Sequence, residues 1–551
     1  MEKSLNKLFE NCFKTHWDLL ALSNYKGENL QYKDVARRIE KLHIIFEACD
    51  LKKGDKIAIC GRNQANWAVA YLATLTYGAV IVPILHEFKG SSIHHIVTHS
   101  DSKILFVGDH IWEELSEAEM PNLEAVILIT DYSIPFAKKS RIHETRERLN
   151  KLFGEKYPKY FRQEHLHYHI DEPEELAMIN YTSGTTGFSK GVMIPYRSLY
   201  SNVLFSKEVI QEVRSGADVV SMLPMAHVYG MMFEFIFEMT VGAHVHFLTR
   251  MPSPKIIMEA FETVRPRVII AVPLIIEKIY KTKLQPLLNK MSMRVWLRLP
   301  VIEHKVRDRI LKTLINVFGG NFCEVIIGGA PFNRDAELFF KKIGFPYTVG
   351  YGMTECGPII TYASWRKNKT YSCGRAAPRM EVRIDSPDPE NIPGEIQTRG
   401  DNVMLGYYND PDATEAAFTD DGWLRTGDMG TMDNDGFVFI KGRFKTMVLG
   451  PSGQNIYPEE LESILNNLPY VAESLIIEKG GKLVALVYPN LEMVAEAKLT
   501  DQQLREIMQD NLNLLNEEQP NYSKVSTFRI FPEEFEKTPK KSIKRYLYQN
   551  N

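Results

Sequence analysis

The sequence predicts an α/β protein in which a large N-terminal region of α/β layers with a β-rich end runs to about residue 443 and a small α+β unit follows. Three observations carry that expectation. Strand-like and helix-like runs alternate over roughly the first 350 residues, short strands and turn dipeptides take over from Val382, and a helix start followed by an apolar strand comes after Lys441-Gly442-Arg443. A chain of 551 residues, 44% apolar, 25% charged and 11% aromatic, has ample material for large cores, which excludes disorder and fibrous repeats. At about 150 residues per domain, the length also calls for more than one domain.

The elements follow in order. Lys56–Cys60 is a short apolar strand, Gln64–Leu75 has helical periodicity and Gly78–Pro83 is strand again, a βαβ pattern that implies a parallel sheet with right-handed crossovers. Further strand-like runs occupy Ile104–Val107, Ala125–Ile129, Leu176–Tyr181, Val268–Val272 and Val325–Ile327. Beyond Val382 the turn signals Pro393-Gly394, Asp421-Gly422 and Asp435-Gly436 separate short strands, the texture of a β-rich unit. Pro458-Glu459-Glu460 opens a helix, and Leu475–Ile477 is a strand of the last unit.

Charge and cysteine usage narrow the function. Lys+Arg 66 against Asp+Glu 69 leaves a net charge of −3, without the positive field of a nucleic-acid binder. The six cysteines form no C-x-x-C pair and have no His companion at metal spacing, which fits reduced thiols in a cytoplasmic setting and argues against a cysteine zinc site. The N-terminus lacks an apolar leader, and the most apolar stretch, Met222–Leu248, is interrupted by His227, Glu234, Glu238, His244 and His246, so it reads as buried core and not as a membrane span. One segment has skewed charge: from Glu277 to Lys312, ten basic residues stand against three acidic ones, a net of +7, with apolar residues between them. Such a stretch suits peripheral contact with an anionic membrane surface, or a solvated helical face.

The strongest chemical signal is the run Tyr181 to Gly191, reading Tyr-Thr-Ser-Gly-Thr-Thr-Gly-Phe-Ser-Lys-Gly. Glycines let backbone N–H groups approach an anion, the hydroxyls donate further bonds, and Lys190 adds a point charge, so the run is expected to bind phosphate, the alternative being a flexible Gly/Ser/Thr surface loop. It is not a Walker A loop, which requires G-x-x-x-x-G-K-[ST]; Gly184 and Gly187 are three apart and Lys190 precedes Gly191.

This loop resembles the phosphate loop of the adenylate-forming (AMP-binding) superfamily, which includes acyl-CoA synthetases. Further segments agree in order: Lys53–Ile59, Leu223–Tyr229 (Leu-Pro-Met-Ala-His-Val-Tyr), Gly328-Gly329-Ala330-Pro331, Gly350–Glu355 (Gly-Tyr-Gly-Met-Thr-Glu), Arg425–Asp428 and Lys441–Lys445. The resemblance spans nearly the whole chain and is greatest to long-chain fatty acyl-CoA synthetases. It implies a multi-subdomain N-terminal adenylation domain, residues 1–443, and a small mobile C-terminal lid, residues 444–551.

It also implies roles. Thr182, Ser183, Gly184, Thr185, Thr186, Gly187 and Lys190 would hold the ATP phosphates, and Glu355 with Thr185 or Thr354 would meet Mg²⁺, for which hard oxygen ligands are suited. Tyr351 and Gly352, with Gly329, Ala330 and Pro331, would flank the adenine. Asp428 would accept both ribose hydroxyls with its two carboxylate oxygens, assisted by Arg443. Lys445 matches the hinge of the rotating lid, Gly453 the segment that meets the pantetheine arm of CoA, and His227 the residue beside the acyl pocket and reactive carboxylate.

One departure stands out. Relatives carry a catalytic lysine in T-P-x-x-K-[IL]-x-R, whereas this chain reads Thr538-Pro-Lys-Lys-Ser-Ile-Lys-Arg545, with Ser542 in the lysine's place. Lys541, one residue upstream, is the expected substitute. The implied reaction is ATP-dependent conversion of a fatty acid to an acyl-adenylate, with release of pyrophosphate and transfer of the acyl group to CoA. A ligase for an aryl or other acid, an acyl-carrier-protein synthetase, or an impaired acyl or nucleotide sensor is the alternative. The expected small molecules are ATP, Mg²⁺, CoA and a carboxylic acid.

Overall fold

The computed structural model describes residues 3–182, 190–250, 252–280, 300–449, 455–517, 519–538 and 543–548. Its largest sheet has eight strands in the order Gly406–Tyr407, Lys190–Pro195, Leu176–Thr182, Val80–Ile84, Lys56–Cys60, Ser102–Val107, Ala125–Leu128 and Phe136–Ala137. The five central strands, Leu176–Thr182 through Ala125–Leu128, are parallel, as the βαβ pattern implies. Both edges depart from that expectation, because Lys190–Pro195, Gly406–Tyr407 and Phe136–Ala137 pair antiparallel. On one edge Thr182 and Lys190 are register partners, so the chain leaves and re-enters the sheet at the two ends of residues 183–189. An antiparallel pair needs no crossover helix between its strands.

The helix after Lys56–Cys60 runs from Ala65 to Tyr77 and is buried along almost its whole length. Its sequence is apolar all round because it is enclosed by the core, where Trp67 stacks on Tyr71 at 5.4 Å. Gly78 closes it in the left-handed region (φ 84°), so the next strand starts at Val80 and not at Gly78 as the sequence suggests.

Two smaller sheets complete the α/β layers. Asp218–Ser221, His244–Phe247 and Leu20–Asn24 run parallel, with Asn29–Gln31 antiparallel at the edge. Ile269–Ala271, Val325–Ile327 and Tyr347–Val349 form a parallel trio. Between Ser221 and His244 the chain makes a short helix, Val228–Met231, a π-helical turn, Met232–Ile236, and a 3₁₀ turn, Glu238–Thr240. Among the described residues no helix is long and apolar enough to cross a membrane.

The β-rich part is an antiparallel sheet of Met380–Asp385, Gly394–Gly400, Leu424–Met432 and Val438–Arg443, with the Asp421-Gly422 and Asp435-Gly436 turns where the dipeptides place them. After it, Val471–Lys479, Lys482–Pro489 and Val525–Ile530 form a three-stranded sheet covered by the helices Pro458–Leu465 and Asp501–Glu517. This last unit buries its own core, including Leu461, Leu465, Ile476, Leu483, Met508 and Leu512. Ion pairs from Glu460 to Arg334 (3.7 Å) and Lys441 (3.4 Å) link it to the preceding region. Of the basic segment 277–312, only Glu277–Tyr280 and the helix Pro300–Val317 lie within the described residues.

Candidate active site

One cluster is built where two sheet-edge strands meet a 3₁₀ turn. Lys190 opens the strand Lys190–Pro195, and its ammonium lies over the Tyr407 ring, 4.8 Å from the centroid. Tyr407 sits on the neighbouring edge strand, and its hydroxyl donates to Glu355 Oε1 at 2.9 Å. Burial, then the adjacent Glu355 charge, pushes the Tyr407 hydroxyl pKa far up, so it remains a donor. Glu355 belongs to the turn Thr354–Cys356, fixed by hydrogen bonds from Met404 N to the Glu355 carbonyl (2.8 Å) and from Asn202 Nδ2 to the Cys356 carbonyl (3.3 Å). A half-buried carboxylate oriented by one neutral donor keeps oxygen lone pairs for a hard cation, which is the chemistry Mg²⁺ requires. Thr354 is buried.

A second cluster forms one connected unit. The Tyr351 hydroxyl donates to Asp428 Oδ2 at 2.7 Å, and Arg443 Nε lies 3.4 Å from Asp428 Oδ1. Asp428 and Arg443 are register partners on adjacent antiparallel strands, which is why residues 15 apart in sequence meet side by side. Burial raises the Asp428 pKa, while Arg443 and the Tyr351 hydroxyl oppose that rise. The sequence offers Tyr351 as a stacking ring; in the structure the ring is buried and its hydroxyl aims the aspartate. Gly352 is required by close packing: a Cβ there would stand 2.1 Å from the Pro358 carbonyl oxygen.

The segment around His227 is held by side chains from several elements. His227 caps the helix Val228–Met231, its Nδ1 accepting from Tyr229 N at 3.3 Å. Asn63 Nδ2 donates to the Leu223 carbonyl (2.6 Å) and Asn63 Oδ1 accepts from Met225 N (3.0 Å). Asn180 Nδ2 donates to the Ala226 carbonyl (2.9 Å), and Glu234 Oε2 accepts from both Met222 N and Leu223 N at 3.0 Å. The Tyr229 hydroxyl donates to the Ile326 carbonyl at 3.0 Å, and a Cβ on Gly328 would lie 3.1 Å from the Tyr229 ring. The histidine segment and the glycine motif are therefore adjacent. Gly329, in the left-handed region at φ 88°, Ala330 and Pro331 are exposed next to it.

Asn63, Asn180, Glu234 and Tyr407 were not legible as site residues. The only local signal was Glu234, a carboxyl in an otherwise apolar run. Thr182 ends its strand half-buried, and Lys445 is exposed in the turn Phe444–Thr446. Ser183, Gly184, Thr185, Thr186, Gly187, Gly453, Lys541 and Ser542 lie outside the described residues. Lys537 and Ile543, on either side of Lys541, pair in an isolated antiparallel bridge.

The family model described as AMP-binding enzyme matches residues 8–408, and that described as AMP-binding enzyme C-terminal domain matches residues 446–550. The chain belongs to the AMP-binding enzyme family. Among its curated relatives, a long-chain-fatty-acid–CoA ligase, ACSBG2, of Gallus gallus is 25% identical over 517 residues, covering 88% of this chain and 67% of the relative. The long-chain-fatty-acid–CoA ligase heimdall of Drosophila melanogaster is 25% identical over 515 residues, covering 88% and 74%. ACSBG1 of Rattus norvegicus, named likewise, is 27% identical over 496 residues, covering 83% of this chain and 66% of the relative. This AMP-binding enzyme thus spans about two thirds to three quarters of those relatives' lengths.

Solved structures share the fold. ATP-bound MatB from Rhodopseudomonas palustris superposes with a TM-score of 0.77 at 22% identity, covering 99% of this chain and 98% of that one. The anthranilate CoA ligase AuaEII, solved with anthranoyl-AMP, gives a TM-score of 0.79 at 17% identity, covering 99% and 96%. This AMP-binding enzyme therefore shares the fold of both proteins over 99% of this chain.

Proposed function

We propose that this AMP-binding enzyme activates a long-chain fatty acid with ATP, forming an acyl-adenylate and pyrophosphate, and then transfers the acyl group to CoA. Hydroxide leaves a carboxylate badly, so a thiol cannot displace it directly; an adenylate supplies a good leaving group. The observation that carries the reading is the unit Tyr351–Asp428–Arg443, a partly buried carboxylate held by a hydroxyl at 2.7 Å and flanked by an exposed guanidinium, on a family fold in which a nucleotide is the common substrate. The fatty-acid class rests on the curated relatives, each named a long-chain-fatty-acid–CoA ligase.

In this scheme Asp428 accepts the ribose hydroxyls and Arg443 covers the same edge of the nucleotide. Lys190 and the loop Ser183–Gly187 balance the β- and γ-phosphate charge, and Tyr407 keeps Glu355 turned toward that charge. Glu355, with Thr185 or Thr354, would hold Mg²⁺, which when bound neutralises phosphate charge. His227 stands beside the carboxylate, in a segment whose backbone is fixed by Asn63, Asn180 and Glu234. Fixed alignment and charge neutralisation are the main sources of rate in such transfers. Lys541 supplies the ammonium at the carboxylate and α-phosphate in place of Ser542. Residues 444–551 act as the lid, turning near Lys445 so that Gly453 and its neighbours receive CoA. The basic segment 277–312 gives the enzyme a peripheral membrane contact suited to an apolar substrate.

ATP–pyrophosphate exchange across octanoate, palmitate, oleate, benzoate and acetate tests the proposal. Exchange driven by palmitate or oleate, and its loss in Lys541→Ala, is the expected result. Exchange with benzoate or acetate alone would replace the fatty acid by another acid, and no exchange despite ATP binding would favour the sensor reading.

A further inference from the structure

The small sheet that carries Asp218–Ser221 and His244–Phe247 holds a cluster that the ligase chemistry does not use. Asp218 and His244 are register partners on adjacent parallel strands, and His246 follows two residues on, so all three side chains stand on one face. His244 Nδ1 lies 3.0 Å and His246 Nε2 2.8 Å from the same oxygen, Asp218 Oδ1. The three donor atoms all fall within 4.8 Å of one another. We propose that Asp218, His244 and His246 form a binding site for a zinc-class divalent cation, separate from the nucleotide site.

Two imidazoles and a carboxylate are the donor set preferred by Zn²⁺, Co²⁺ and Ni²⁺, whereas Mg²⁺ takes oxygen ligands, so this site selects a different ion from the one suited to Glu355. Donors about 2.0–2.1 Å from a tetrahedral zinc stand about 3.3 Å apart, so the two His–Asp spacings need to open by only a few tenths of an ångström. The outer shell is present as well. Ser23, 1% exposed on the neighbouring strand Leu20–Asn24, places its Oγ 2.6 Å from His244 Nε2. A hydroxyl serves either tautomer, and by accepting from Nε2–H it leaves Nδ1 bare for a metal.

Access is graded: the side chains of His244, His246 and Asp218 are 7%, 16% and 41% exposed. The aspartate side is therefore open to a water as fourth ligand. Three protein ligands plus one open position is an arrangement zinc sites use. The cation would pin the start of the strand whose far end leads into Met222–His227. The competing account is a metal-free strut, in which both imidazoles donate to Asp218.

Metal-stripped full-length protein titrated with Co²⁺, followed by visible ligand-field absorption and by Zn²⁺ competition, decides between them. The expected result is one equivalent of Co²⁺, displaced by Zn²⁺ but not by Mg²⁺. Affinity should fall about 100-fold or more in Asp218→Asn and His246→Gln and about tenfold in Ser23→Ala. His110→Gln, which removes a histidine on the exposed surface, should match the wild type. Absence of a one-equivalent complex in the wild type overturns the proposal without reference to any variant. Equal Co²⁺ affinity in the wild type, Asp218→Asn and His246→Gln overturns it in favour of the strut.

Discussion

The Tyr351–Asp428–Arg443 cluster and the segment around His227 place carboxyl groups in opposite ways. Asp428 keeps its carboxyl at the margin of the core, 15% exposed, and finds partners on two sides in Tyr351 and Arg443. Glu234 and Glu238 are fully buried; Glu234 Oε1 and both Glu238 carboxyl oxygens have no hydrogen-bond partner among the described residues. Burial drives the Glu234 pKa well above its ordinary value and that of Glu238 from 4.5 to about 8. The first arrangement spends a charge on a ligand. The second uses one buried acid, Glu234, as a polar strut for a backbone turn, so its cost and its benefit fall on stability.

The largest effect should follow breaking the strut. Glu234→Ala leaves the Met222 and Leu223 N–H groups unpaired in the core and opens a cavity, for an expected loss of about 3–5 kcal/mol in unfolding free energy, read from denaturant midpoints. Retention of wild-type stability would show that those two donors find other acceptors.

Next comes the Asp428 cluster, where the change should appear in nucleotide use and not in folding. Asp428→Asn should raise the KM for ATP about 10–100-fold, the worth of hydrogen bonds to a charged acceptor, while Tyr351→Phe, which removes only the orienting hydroxyl, should raise it about 2–10-fold. Equal effects from the two variants would mean that Tyr351 does more than aim the aspartate.

A pH-dependent effect reports on the buried acid Glu238. Because the Glu238 pKa is higher in the folded state, its contribution is complete below 4.5 and is lost as pH rises toward about 8. The melting temperature of the wild type should therefore fall across that interval relative to Glu238→Gln. Parallel curves for the two proteins would show that Glu238 is solvated in the native state.

The two regions also differ in how far they were legible in sequence. The nucleotide-side groups lie in short runs, Gly350–Glu355, Arg425–Asp428 and Lys441–Lys445, because backbone turns and glycines place them locally. The strand pairing that joins Asp428 to Arg443 is likewise a near neighbour in the chain. The acyl-side supports come from Asn63, Asn180 and Glu234, and the His–Asp cluster from two strands separated by more than twenty residues. Tertiary contacts of that range leave no periodicity or spacing to read. The antiparallel edges of the main sheet were missed for the same reason, since an apolar strand reads alike in either direction. Tyr407 reaches Glu355 only through one of those edges.

The central claim is a two-step acyl transfer through an adenylate. A single-turnover quench with radiolabelled oleate, ATP and Mg²⁺, first without and then with CoA, tests it most directly. The expected result is accumulation of oleoyl-adenylate in near-stoichiometric amount, followed by its conversion to the thioester when CoA is added. Oleate that never becomes an adenylate, or an adenylate that CoA leaves untouched, would contradict the account.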